Sequence, residues 1–155
     1  MKLSAEIAVA APRERVFAAL VDPAVLQRCI PGCEEWTDAG GPGIDAYRVR
    51  LKMGIAGLNG SYTGTAALRD RQPPESFTLA FDGKGGPGFV RGTAAVRLIA
   101  DAGATRVVCD ADVHVGGLIA AVGSRLIDAA ARKLTDDFFR QLSAEIDRLR
   151  DAPGH

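Results

Sequence analysis

Two cysteines, Cys29 and Cys33, flank an Ile30-Pro31-Gly32 break in the run DPAVLQRCIPGCEE, which begins at Asp22. Thiolates are zinc ligands and redox groups, so this pair is the first candidate for chemistry. Residues four apart share a face only on a continuous helix, and Pro31-Gly32 interrupts one here. A structural zinc site also needs a second pair of ligands. The third cysteine, Cys109, falls in the middle of a strand pattern, and His114 alternates onto the opposite face. Dithiol exchange uses the tighter C-x-x-C spacing. No metal site is therefore expected, and the cysteines read as small buried hydrophobes.

The run DGKGGPGFVRG, Asp82 to Gly92, resembles a phosphate loop only in its glycines. It lacks the Gly-Lys-Ser/Thr ending, and a strand pattern follows it, so no helix N-terminus is at hand for an anion. A flexible hairpin loop is expected, with glycines that would hinge over a pocket mouth. His114 shares a strand face with Asp112, but no serine nucleophile accompanies them. Asp110 and Asp112 are expected on the solvent face, meeting Arg91 or Arg97 across the sheet. Arg125 lies near the apolar stripe of a helix; it is either a snorkelling surface side chain or a polar anchor at a pocket edge. No catalytic residue is assigned, no cofactor is implied, and the chain reads as a non-enzyme.

These residues must be held by elements legible from periodicity. Leu3, Ala5, Ile7 and Val9 alternate with more polar residues, a strand with one buried face. Pro12 opens a short helix with Val16, Phe17 and Leu20 on its apolar side; Asp22-Pro23 caps and starts a second one, which Pro31-Gly32 ends. Trp36 starts a further strand. Five alternating runs follow, through Tyr47–Ile55, Tyr62–Leu68, Phe77–Phe81, Val90–Leu98 and Val107–Val115. Such alternation implies an antiparallel sheet with one wet face. From Leu118 the period lengthens, through Val122, Leu126, Ala130, Leu134, Phe138, Leu142, Ile146 and Leu149. This predicts one amphipathic helix of about 30 residues, about 45 Å long. Strand, two short helices, meander and long helix together predict an α+β helix-grip fold, a curved sheet wrapped around its last helix. One domain is expected over 1–150, with a disordered tail over 151–155.

The 155 residues suffice for a sizeable core, and 47% are hydrophobic and 25% charged. A formal net charge of zero argues against a nucleic-acid partner. The N-terminal MKLSAEIAVAAPRE carries Glu6 and no continuous apolar run, so no secretory signal is read, and no stretch is long enough to span a bilayer. Free thiols without an export signal lead to the expectation of a cytoplasmic protein.

The inward strand positions include Gly64, Ala66, Gly92, Ala94 and Ala111, and the helix adds Ala120, Ala121, Ala129, Ala130 and Ala131. Small residues either let the helix sit close on the sheet, giving a solid core, or leave a void for a ligand. Met53, Tyr62, Phe81, Val115 and Val122 would line the mouth of such a pocket, with Leu126 as further lining, Arg125 as anchor and Ile30 on the rim. Phe89 alternates onto the outer face and joins this set only through the expected hairpin loop.

Four blocks, DPAVLQRCIPGCEE, GSYTGTAALRDRQPP, GKGGPGFVRGTAAVRL and VGGLIAAVGSRLIDAAARKLTDDFF, together resemble the CoxG family, the G component of carbon monoxide dehydrogenase, within the START-like, polyketide cyclase superfamily. The resemblance implies a helix-grip fold and an accessory role: partnership with molybdenum hydroxylases of the carbon monoxide dehydrogenase type, and handling of a quinone or lipid. Many members carry a C-terminal membrane-binding extension. None is expected here, where the sequence ends at His155 just after its helix, so membrane contact would be peripheral and without a tether. The readings carried forward are a non-catalytic hydrophobic-ligand binder, a cyclase or dehydratase of the same superfamily, and an assembly factor with a solid core and no ligand.

Overall fold

The computed structural model describes residues 1–55 and 57–151. Of the tail expected over 151–155, residues 152–155 lie outside the described residues. Strand β1 (Lys2–Val9) leads to helices α1 (Arg13–Leu20) and α2 (Pro23–Cys29). Strands β2 (Cys33–Asp38), β3 (Ala46–Ile55), β4 (Leu58–Gln72), β5 (Ser76–Gly85), β6 (Gly88–Asp101) and β7 (Ala104–Gly117) follow. Helices α3 (Leu118–Ala121) and α4 (Ser124–Asp151) complete the chain. The seven strands form one antiparallel sheet in the order β1-β7-β6-β5-β4-β3-β2. This is the expected helix-grip architecture.

Local signals act where the sequence puts them. The Asp22 carboxylate accepts a hydrogen bond from the Ala24 amide at 2.9 Å, and Pro23 fills the first turn of α2. Gly32 takes φ +76° at the exit from α2, a conformation that glycine adopts without a steric penalty. Its carbonyl accepts from the Lys52 amide at 2.8 Å, which ties the turn to β3.

Three expectations are corrected. The C-terminal helix is not continuous from Leu118: it breaks at Gly123, φ +92°, into α3 and the 28-residue α4. The glycine-rich run is not a flexible loop. Asp82–Gly85 pair within β5 and Gly88–Gly92 within β6, leaving Gly86-Pro87 as the turn. Backbone hydrogen bonding across the hairpin outweighs the low strand propensity of glycine. Asp110 and Asp112 are on the solvent face as expected, but their partners lie on β1 rather than β6: Ser4 donates to Asp110 at 3.0 Å, and Lys2 meets Asp112 at 3.3 Å.

The sealed core falls into two parts. The larger joins α1, α2 and the C-terminal half of α4 to the sheet, through residues such as Val16, Leu26, Phe77, Val107, Phe139 and Leu142. Phe17 and Phe77 meet edge to face at 5.7 Å. Leu142 is fully buried, and its truncation to alanine would cost about 2–5 kcal/mol. The smaller part gathers Met53, Leu58, Val90, Val115 and Val122 around Tyr62, Ile119 and Ile127. Between α2 and α4, the Arg28 guanidinium bonds Glu145, which Arg148 also holds.

Candidate functional site

The inner face of the sheet follows from strand alternation and register. Tyr62, Gly64, Ala66 and Leu68 of β4 stand opposite Gly85, Gly83, Phe81 and Leu79 of β5. Phe81 in turn faces Gly92 of β6, and Ala94 faces Ala111 of β7. The centre of this face is thus made of glycine and alanine. Three of its glycines have a role that neither a solid core nor a void predicts; a Cβ on Gly85, for one, would overlap the Ser61 carbonyl oxygen. A Cβ on Gly64 would overlap the Asp82 carbonyl oxygen, and one on Gly92 the Asp112 carbonyl oxygen. These glycines allow neighbouring strands to approach closely.

α4 packs on β1, α1 and α2, while its N-terminal half and the sheet centre are less completely covered. Ile127 belongs to the small cluster and Phe139 to the large one. Between them Ala130, Ala131 and Leu134 remain half-buried, as do Phe81, Ala94 and Ala111 on the sheet. Phe81 belongs to neither sealed cluster. The result is an apolar surface between sheet and helix that is only half covered, with a packed region at each end.

Two polar atoms interrupt this apolar surface. The Tyr62 hydroxyl and the Trp36 indole N–H are buried and have no hydrogen-bond partner among the described residues. Tyr62 is only 5% exposed, and burial pushes its phenol above the ordinary value. Trp36 is held by β2 opposite Val49, its ring 5.7 Å from that of Tyr47. An unpaired buried donor is costly in a closed fold. On β4 to β7 the inward positions named here add one other titratable group, Cys109, whose thiol burial and the neighbouring Asp110 push up to about 11. Both groups are neutral at pH 7, so the face presents no charge.

The structure brings Met53, Tyr62, Val115 and Val122 together in the small cluster and sets Phe81 beside it on the half-covered surface. Ile30 packs against the large cluster, at the turn into β2. Leu126 is 51% exposed, and Arg125 is exposed beside it. Phe89 stays on the outer face, as alternation requires once the hairpin is paired. There its ring lies 5.1 Å from the Arg91 guanidinium, and the two line an outer cleft of about 360 Å³ with Thr63, Gly64, Thr65, Asp82 and Lys84. Ile119, Ile127 and Gly83 were not singled out from sequence. The break at Gly123 hid the first two, and reading 82–92 as a loop hid the third.

Cys29, Cys33 and Cys109 are free thiols. Burial raises the Cys29 and Cys33 thiols as well, and the Cys33 Sγ–H donates to the Glu35 carbonyl at 3.4 Å. No helix among the described residues is long and apolar enough to cross a membrane.

No protein of curated function matches the chain. Among solved structures, a conserved protein from Geobacillus kaustophilus is 32% identical over 96% of both chains, with a TM-score of 0.90. The ZhuI aromatase/cyclase from Streptomyces sp. R1128 is similar at 18% identity and TM-score 0.70, covering 99% of this chain and 98% of its own. A START superfamily protein from Mycobacterium smegmatis is similar at 16% identity and TM-score 0.67, covering 96% and 98%. The last two establish likeness of fold alone. The profile of the CoxG family, the G component of carbon monoxide dehydrogenase, matches residues 6–147, so the chain belongs to that family, on a START-like helix-grip fold.

Proposed function

We infer that this protein binds a neutral, hydrophobic small molecule between the sheet and α4, without turning it over. The observation that carries the reading is the half-buried apolar surface around Phe81, Ala94, Ala111 and Leu134, flanked by two sealed clusters. An uncovered inward apolar surface gains free energy when a ligand removes it from water. The unpartnered Tyr62 hydroxyl and Trp36 N–H favour a ligand bearing acceptor oxygens, and the absence of charge at the inward positions named above favours a neutral one. A quinone fits both conditions, and a lipid with ester carbonyls fits them less compactly.

Binding without catalysis is favoured by the same groups. Burial holds Tyr62 and Cys109 protonated well above neutral pH, away from the range in which a general acid–base works well. Membership of a family named for a carbon monoxide dehydrogenase component supports a molybdenum hydroxylase as protein partner. Titration with a short-chain menaquinone, followed by Trp36 fluorescence, tests the ligand reading: saturable quenching is expected, and a linear response would sink it. Co-purification with such a hydroxylase tests the partner separately.

A further inference from the structure

The sheet ends in β1 on one side and β2 on the other, and the two edges are guarded differently. An edge strand presents a row of unpaired amides and carbonyls, which folded proteins protect with short strands, bulges and covering elements. β2 has all three. It runs for six residues, its register shifts between Cys33 and Glu35, and α2 lies beside it, where the Gln27 side-chain amide donates to the Glu34 carbonyl at 3.2 Å. β1 is neither short nor bulged. It pairs with β7 over eight residues without a register shift, and it contains neither proline nor glycine.

The direction of its free groups follows from one pair. Met1 and Val113 exchange hydrogen bonds: the Val113 amide donates to the Met1 carbonyl at 2.8 Å, and the Met1 amine donates to the Val113 carbonyl. Alternation then turns the amides and carbonyls of Leu3, Ala5 and Ile7 toward β7, and those of Lys2, Ser4, Glu6 and Ala8 toward the open side. No backbone hydrogen bond among the described residues reaches the latter four, and all four are exposed.

This edge is complementary to itself. Two copies that meet edge to edge about a twofold axis run antiparallel, and only the even-numbered residues have groups to exchange. Centred on Ser4, the pairing sets Lys2 of each copy against Glu6 of the other. On the inner face the same register sets Leu3 of each copy against Ala5 of the other, apolar against apolar. Sliding the strands by two residues puts Glu6 against Ser4 and Lys2 against Ala8, and sliding them by four puts Glu6 against Glu6. One register alone matches both charges. Lys2 and Glu6 also meet Asp112 and Arg106 of their own chain, each at 3.3 Å, but exposed pairs are weakly held and leave either side chain able to serve a second partner. A strand from another protein would need matching charges of its own, whereas a second copy of this chain supplies them by symmetry.

We propose that two copies of this protein associate through β1, antiparallel and centred on Ser4, so that the sheet continues from one copy into the other. The association stands on this edge alone and is independent of the reading of the inner face as a ligand site.

Sedimentation equilibrium of the full chain tests it and should show a monomer–dimer equilibrium. Glu6→Lys sets lysine against lysine twice and should lower the association constant about tenfold. Lys2→Glu combined with Glu6→Lys should restore it. These side chains are exposed, so the melting temperature should hold in both variants. Ser4→Cys reads the register: residues that exchange hydrogen bonds across antiparallel strands have Cα atoms about 5.5 Å apart, within the span of a disulfide. Mild oxidation should link Ser4→Cys into a covalent dimer. It should not link Glu6→Cys, which stands opposite Lys2, nor the parent with its three free thiols. A monomer at every concentration, an unchanged constant in Glu6→Lys, no restoration in the double variant, or equal cross-linking at the two positions would overturn the proposal.

Discussion

Gly64 on β4 stands directly opposite Gly83 on β5, yet the two glycines do different things. A methyl group on Gly64 would overlap the Asp82 carbonyl oxygen, whereas one on Gly83 would find its nearest atom, the Thr63 carbonyl oxygen, at 3.8 Å. Gly64 permits close approach of two strands. Gly83 leaves room on the inner face.

The contrast is measurable. Gly64→Ala should destabilise the fold by about 1–3 kcal/mol in urea unfolding, because backbone must move to admit the methyl. Gly83→Ala should change stability by no more than about 0.5 kcal/mol. A larger residue there, Gly83→Leu, should weaken menaquinone binding by filling that room. Equal destabilisation by the two alanine variants would show that neither glycine is set by local approach.

Tyr62→Phe removes a buried hydroxyl that has no partner among the described residues. Stability should stay level or rise by about 1 kcal/mol, since an unmet polar group is lost. Ligand affinity should fall about tenfold if that hydroxyl donates to the ligand. A fall in unfolding midpoint would instead reveal a partner for the hydroxyl within the protein.

Alkaline pH should weaken the fold through Cys109. Burial disfavours its thiolate, so the folded protein keeps the proton up to about 11 while the unfolded chain releases it near 9.0. Above pH 9 the unfolded state therefore binds fewer protons, and stability falls as pH rises through that window. Buried Tyr47 and Tyr62 act in the same direction above pH 10.0. Urea midpoints at successive pH values should decline less steeply in Cys109→Ala than in the parent.

Glu145 joins α2 to α4. Hydrogen bonds from Arg148, and then Arg28, hold its carboxyl below the usual 4.5. The stabilisation is present above that value and is lost as pH falls beneath it. Glu145→Gln should cost about 1 kcal/mol or less at neutral pH, and the gap from the parent should close in acid. A pH-independent difference would mean the effect is packing rather than charge.

Much of the architecture was legible because alternation and helical period are local properties. The meander from Tyr47 to Val115, the Asp22 cap and the inward set Tyr62, Ala94 and Ala111 all follow from residue spacing. Glycine masks the local pattern at two places. The run 82–92 has too few side chains to display an alternation, so paired strand looked like loop, and Gly123 broke a stripe whose period runs unbroken through it.

The order of elements, the apolar face of each and the resemblance to a family can be read from the chain, since they depend on neighbours along it. Nothing in the spacing distinguishes Gly64, which admits the neighbouring backbone, from Gly83, which leaves room on the inner face. Nor does it bury the Tyr62 hydroxyl unpaired or seat the Phe89 ring beside the Arg91 guanidinium. Those relationships depend on which strand lies beside which and how sharply the sheet bends, and both are set by contacts between residues far apart in the chain.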